Sequence, residues 1–143
     1  MTRVDFYILA GADAAERERL ACRLAEKAYE RGHRALLLAA DEAQCQRLDA
    51  LLWTFRQGSF VPHARLTERE GEPIAVGTEE PGEDEVLINL SDATPASWSR
   101  RERLAEIVDQ RPEVLQASRQ RYRQYREAGA EAHTHHLEQG KGR

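Results

Sequence analysis

The sequence predicts an α/β fold: a three-layer α/β/α domain with a mostly parallel sheet of about four or five strands and a nucleotide-binding-like topology. In residues 4–53 a strand pattern and a helix pattern alternate twice, which is typical of βαβ units. The apolar run at residues 34–40 shows no alternation with polar residues, as expected for a strand buried on both faces of a parallel sheet. The length of 143 residues suits one domain, which we expect to span residues 1–129.

The first half of the chain has clear element boundaries. Residues 4–10 are aromatic and β-branched and precede a glycine, which predicts a buried strand. Asp13 stands where a helix cap is expected, with a glutamate three residues later, and this spacing predicts a helix over residues 13–31. A second strand follows at residues 34–40, and a second helix at residues 41–53.

The second half of the chain is less regular. We expect an irregular segment at residues 54–72 and an acidic turn at residues 79–85. The ordered elements predicted here are strands at residues 74–77, 85–91 and 103–109 and a helix at residues 112–128. Residues 103–109 also fit a helix turn, and we favour the strand. Residues 130–143 are polar and rich in His and Gly, so we expect a frayed C-terminal tail.

Composition argues against several classes of protein. Mean hydropathy is -0.71, and no apolar stretch reaches the ~18–20 residues of a membrane span, so we expect no membrane insertion. The first residues lack the pattern of a secretion signal, and Cys22 and Cys45 fit free thiols in a reducing compartment. We therefore expect a cytoplasmic protein. The net charge of -4 argues against a wide nucleic-acid interface, although residues 111–127 carry five arginines against two glutamates.

The usual signatures of catalysis are missing from the sequence. The first strand–helix turn, residues 9–17, has one glycine and no lysine, whereas a phosphate-binding loop needs several glycines and a lysine. We expect no nucleotide and no other cofactor. His133, His135 and His136 are spaced closely enough to bind a metal ion, but their place in a predicted frayed tail favours solvated side chains, and we expect no metal site.

A small α/β enzyme is the alternative interpretation. Its catalytic groups would lie at the carboxyl ends of the strands, where Asp13, Asp41 and Asp92 follow predicted strands. Three carboxylates at one edge of a sheet could hold a metal ion. Each of these residues also fits the cap of a helix or a turn.

A segment rich in aromatic residues begins at the last residue of the second predicted helix. Trp53, Phe60, Val61 and Pro62 lie there without a regular period. Aromatic side chains in such a segment often cover a core. They are also typical anchors of a protein interface, and an exposed apolar patch on a small protein usually has a partner.

The last predicted helix places a basic face beside an aromatic ring. Leu115, Arg119, Tyr122, Arg123 and Arg126 follow steps of four, three, one and three residues and share one face. Guanidinium groups bind carboxylates through paired hydrogen bonds, so this face fits a short acidic peptide with a hydrophobic end. One alternative is a solvated basic face, and another is a site that binds the phosphates and bases of nucleic acid. The acidic remainder of the chain makes nucleic-acid binding a weaker interpretation than peptide binding.

A set of short motifs, in this order and spacing, resembles the chi subunit family of bacterial DNA polymerase III. They are RLD (47–49), LW (52–53), SFVPH (59–63), VLINL (86–90), IVD (107–109) and R-x-RYR-x-YR (119–126) followed by AG (128–129). The resemblance implies an α/β fold without nucleotide or catalysis. It also implies an accessory subunit of the clamp loader in DNA replication.

The resemblance implies two protein partners. One is the psi subunit, and Trp53, Phe60, Val61 and Pro62 match the surface that binds it. The other is the acidic, Phe-ended C-terminal tail of single-stranded DNA-binding protein. The residues assigned to that tail are Leu115, Arg119, Tyr122, Arg123 and Arg126, of which Arg119, Tyr122 and Arg123 match the family's own tail-binding surface. No direct nucleic-acid binding is expected.

Overall fold

The computed structural model describes residues 1–82 and 84–137. In this part of the chain the strands are β1 (Arg3–Leu9), β2 (Ala35–Leu38), β3 (His63–Arg65), β4 (Ile74–Gly77), β5 (Val86–Asn89), β6 (Arg103–Val108) and β7 (Glu131–Leu137). The helices are α1 (Ala14–Glu30), α2 (Glu42–Thr54) and α3 (Pro112–Glu127), with short 3-10 turns at Leu66–Glu68 and Trp98–Arg100. In the first half, the predicted bounds agree with these to within two residues. None of the helices in the described ranges is long and apolar enough to cross a bilayer.

All strands join one open sheet. Their order is β3-β4-β2-β5-β6-β1-β7, and every neighbouring pair is parallel. The predicted α/β class is confirmed, but the described residues form seven strands of the sheet rather than the expected four or five. The two missing strands, β3 and β7, are its edges. β3 lies inside the segment predicted to be irregular, residues 54–72.

Helices α1 and α2 cover one face of the sheet. Leu20 of α1 and Leu48 of α2 are buried there against Leu37 and Ile88. Both helices begin at aspartate caps: the Asp13 carboxylate accepts a hydrogen bond from Ala15 N at 2.9 Å, in agreement with the predicted cap. These helices and the all-apolar central strands supply the larger part of the core.

Helix α3 covers the opposite face. Tyr125 is fully buried there and packs with Phe6 of β1 and Leu104 of β6. Because successive strand residues point to opposite faces, Phe6 faces α3 while its neighbour Tyr7 faces α1. The three layers of the sequence prediction are therefore present.

The predicted frayed tail is wrong for residues 131–137. These residues form β7, which pairs with β1 over seven register positions, from Arg3↔Glu131 to Leu9↔Leu137. The strand is polar because it is an edge strand, held by backbone pairing on one side and only partly covered by side chains. The ordered fold therefore extends past residue 129 to Leu137, and residues 138–143 of the expected tail lie outside the described residues.

Candidate protein-binding sites

A cavity of about 400 Å³ opens between α3 and the β1–β7 edge of the sheet. This volume lies in the range of about 300–1,000 Å³ typical of small-ligand sites. The cavity, here called the arginine-lined pocket, is lined by Phe6, Ile8, Val108, Ser118, Arg119, Tyr122, Arg123 and Thr134. Its floor is apolar and its α3 rim carries two guanidinium groups.

Packing of Tyr122 fixes the aromatic wall of the pocket. Its ring meets Phe6 edge to face, with centroids 5.3 Å apart. Arg126 Nη1 donates a hydrogen bond to the Tyr122 hydroxyl at 3.0 Å, and its guanidinium lies 5.7 Å from the centre of that ring. Arg126 therefore positions Tyr122, whereas Leu115 packs against the core beneath α3. Neither of them is among the lining residues.

Arg119 and Arg123 are exposed on α3. Neither forms an ion pair or hydrogen bond with any part of the chain that the structure describes. Their charges are thus available to a ligand above an apolar floor. The predicted cluster of Arg119, Tyr122 and Arg123 is brought together at one pocket.

A third arginine of α3 has a different role. Arg121 points into the protein, where its Nε donates to Glu106 Oε2 at 3.1 Å, and both side chains are buried. The Tyr125 hydroxyl donates to the same oxygen at 2.5 Å, and Asn89 Nδ2 donates to it at 3.0 Å. Burial raises the pKa of Tyr125, and the neighbouring Glu106 carboxylate raises it further.

This buried network anchors α3 to β5 and β6. In the sequence, Arg121 was counted with the exposed arginines of the basic segment at residues 111–127. Nothing in that segment indicated its buried partner. One signal was present: Glu106 stands in the middle of the apolar strand at residues 103–109. A carboxylate there needs a buried partner.

A second candidate site lies where α2 ends, on the other side of the molecule. Trp53 and Phe60 are 57% and 63% exposed, and their ring centres are 6.1 Å apart. Beneath them, His63 lies 4.7 Å from the Trp53 ring centre. We call the exposed pair the aromatic surface. The alternative that these two rings cover the core is wrong, because both face solvent.

Glu26 of α1 holds the segment that carries Phe60. Its carboxylate accepts hydrogen bonds from Ser59 Oγ and from Arg56. The pKa of Glu26 lies below its usual value: burial opposes this shift, and the hydrogen bonds from Ser59 and Arg56 outweigh burial. The segment is therefore positioned by polar contacts while its aromatic side chain remains exposed.

The other two predicted psi-binding residues are less exposed than Trp53 and Phe60. Val61 is 1% exposed and belongs to the core under α2, so its side chain does not contribute to the aromatic surface. The segment after α2 thus directs the apolar side chain of Val61 into the core. Pro62, next to it, is partly exposed.

The aspartates of the enzyme interpretation do not converge. Asp13 follows β1 and Asp41 follows β2, which are three strand positions apart in the sheet, or roughly 14 Å at about 4.8 Å per position. The Asp41 carboxylate accepts from Gln44 N at 2.8 Å as a helix cap. Asp92 lies in the exposed loop after β5. No cluster of three potential metal ligands occurs within residues 1–82 and 84–137.

A larger cavity of about 770 Å³ lies beside the start of α2 and the end of β4. Its nucleophile candidate is Cys45, and burial raises the pKa of that thiol, which disfavours the reactive thiolate. Arg65 in this cavity is paired with Glu42.

The fold and these two sites define a class: a single-sheet α/β protein with one cationic, peptide-sized pocket and one exposed aromatic surface. The family model "DNA polymerase III chi subunit, HolC" matches residues 1–133. The chain belongs to the DNA polymerase III chi subunit family. It is therefore a replication accessory subunit, and the resemblance noted in the sequence is confirmed.

Individual relatives agree with the family match. The chain is 43% identical over 139 residues to the DNA polymerase III subunit chi of Pseudomonas aeruginosa, covering 96% of this chain and 98% of the relative. It is 30% identical over 122 residues to the chi subunit of Escherichia coli, covering 82% and 83%. For the chi subunit of Haemophilus influenzae the identity is 28% over 129 residues, covering 87% and 90%.

Proposed function

We propose that the chain is a non-catalytic adaptor of the clamp loader in DNA polymerase III. In this proposal it links the psi subunit to the acidic C-terminal tail of single-stranded DNA-binding protein. The observation that supports it most is the arginine-lined pocket, where two unpaired guanidinium groups stand over an apolar floor. The chain acts in the cytoplasm, at the replisome.

The pocket suits a terminal aromatic residue preceded by acidic residues. The apolar side chains of Phe6, Ile8 and Val108 accept the ring, and Tyr122 forms its side wall. Arg119 and Arg123 bind carboxylates, including the terminal one. Each charge-assisted contact contributes ~1.5–3 kcal/mol when partly buried and much less when exposed. We expect micromolar affinity, which corresponds to ~-8 kcal/mol.

The aromatic surface suits the psi subunit. Two large aromatic side chains lie side by side in solvent, and Trp residues are enriched among the energetic anchors of interfaces. The two sites lie on different elements, α2 with its following segment and α3 with β7. One chain can therefore bind both partners at once.

A peptide titration tests the assignment of the pocket. A fluorescent peptide with an acidic segment and a terminal Phe is titrated with the wild type, Arg123→Glu and Arg31→Glu. Arg31 is an exposed arginine directly after α1, so it provides the same charge change away from the pocket. We expect at least tenfold weaker binding for Arg123→Glu, the effect of ~1.4 kcal/mol, and little change for Arg31→Glu. Equal affinity of the wild type and Arg123→Glu would refute the assignment.

A further inference from the structure

β7 is an edge strand with one side free. It pairs with β1 along its whole length, and within the described residues no segment pairs with its other side. The backbone N–H and C=O groups of that side are a template for an added strand. The opposite edge of the sheet, β3, is three residues long and offers much less.

The composition of β7 does not protect this edge. Natural edges are commonly blocked by Pro, by Lys, by bulges or by short length. β7 is seven residues long, Glu131–Leu137, and contains neither Pro nor Lys nor Gly. Its pairing with β1 is continuous, without an inserted residue. Within the described residues, none of these blocking features is therefore present along β7.

Side-chain contacts hold β7 in a fixed register. His135 Nε2 lies 2.8 Å from Asp5 Oδ1 on β1, and the His135 ring stacks on Tyr7 with centroids 4.9 Å apart. Asp5 is itself held by Arg3 and Arg103. Because β7 is already ordered, less conformational entropy is lost when a peptide pairs with it than when a peptide pairs with a mobile segment.

The arginine-lined pocket opens at this edge. Thr134 of β7 lines the pocket, opposite Arg119 and Arg123 of α3. In the part of the chain that the structure describes, β7 is the last strand of the sheet, so a peptide that leaves the pocket past Thr134 reaches the free side of this strand. The two arginines place positive charge beside this path, which is complementary to an acidic peptide.

We propose that the residues preceding the terminal residue of the bound tail pair with the free edge of β7 as an eighth strand. This inference rests on the proposed function of the pocket. The terminal residue supplies specificity in the pocket, and main-chain hydrogen bonds along β7 add affinity that depends little on sequence. A tail of only a few residues would bind more weakly, because it fills the pocket without reaching the edge.

Backbone methylation of the peptide provides the test. In a paired strand, every second N–H points to its neighbour. A series of tail peptides, each N-methylated at one successive position, is titrated against the intact chain. We expect affinity losses that alternate, roughly threefold or more at every second position and little between them. Hydrogen exchange of every second β7 amide should slow when the full peptide is bound. A peptide of only the last three residues should not slow this exchange.

The outcomes separate the two proposals. If no tail peptide binds at all, the proposed function fails. If peptides bind with loss at Arg123→Glu, but without alternation and without protection of β7, the pocket stands and the eighth strand is overturned. If β7 amides become protected with rising protein concentration and no peptide, a second copy of the chain occupies the edge, and the inference is likewise overturned.

Discussion

The arginine-lined pocket and the aromatic surface use opposite chemistry. The pocket is concave and presents the positive charges of Arg119 and Arg123, unpaired within the described residues, over an apolar floor, whereas the aromatic surface presents two rings to solvent. The first depends on electrostatic attraction, which salt screens, and the second on burial of apolar area, which salt does not screen. If both sites bind partners as proposed, a rise in salt concentration should weaken binding at the pocket more than binding at the aromatic surface.

The largest effect is expected beneath the pocket, at the buried pair of Arg121 and Glu106. Changing Arg121→Met leaves the Glu106 carboxylate, 0% exposed, without its cation. Breaking such a pair destabilises a protein by about 3–5 kcal/mol. Urea unfolding measures the loss. Arg119→Met on the same helix is the matched control, with a change within about 0.5 kcal/mol; similar losses for both variants would contradict the buried role of Arg121.

The next effect concerns the aromatic surface. In the double variant Trp53→Ala, Phe60→Ala we expect binding of psi to weaken by about 2 kcal/mol or more, roughly 30-fold. Tail-peptide affinity should stay unchanged. Stability should change little because both rings face solvent. Calorimetric titration with psi measures the affinity, and Tyr29→Ala, another exposed aromatic residue, is the control. A variant that no longer folds would show that these rings support the core.

Salt concentration should change the affinity of the arginine-lined pocket for its ligand more than the affinity of the aromatic surface. Raising the salt concentration from about 50 mM to about 300 mM shortens the screening length, so we expect tail-peptide affinity to fall several-fold. Psi affinity should change less than about twofold over the same range, because its anchors are apolar. Fluorescence anisotropy at several salt concentrations gives both slopes. An equal salt dependence of tail-peptide affinity and psi affinity would contradict the proposed difference between the sites.

The smallest effect is acid sensitivity near β7. Burial alone would raise the pKa of Asp5, but hydrogen bonds from Arg3, His135 and Arg103 outweigh burial and hold that pKa below its usual value. Its contribution to stability is therefore full above the unfolded pKa, about 3.9, and is lost as pH falls through the folded value. Between about pH 5 and pH 3, the urea midpoint should fall more for the wild type than for Asp5→Asn. An identical decrease would contradict this role of Asp5.

The sequence was sufficient for the interior strands and the helices. Their apolar runs and caps reflect local energetics, such as the Asp13 cap and the buried residues of β2. The edges β3 and β7 were missed because an edge strand is held by backbone pairing with a distant neighbour. The polar run that contains His133, Thr134 and His135 shows no apolar alternation that would predict a strand.

The candidate sites show the same division. Helical spacing brought Arg119, Tyr122 and Arg123 together, because one helix fixes their relative positions. It could not show that Arg121 turns inward, since the partner Glu106 lies on another element. Val61 was likewise assigned to a surface, because a segment without a period gives no indication of which side chains are buried.

Photo-crosslinking of the tail peptide tests the central claim most directly. The terminal Phe is replaced by a benzophenone-bearing phenylalanine, the complex is irradiated, and the modified residues are identified by mass spectrometry. We expect crosslinks within residues 118–123 and at Phe6, Ile8, Val108 and Thr134, which line the arginine-lined pocket. Crosslinks confined to residues 53–62, at the aromatic surface, would contradict it.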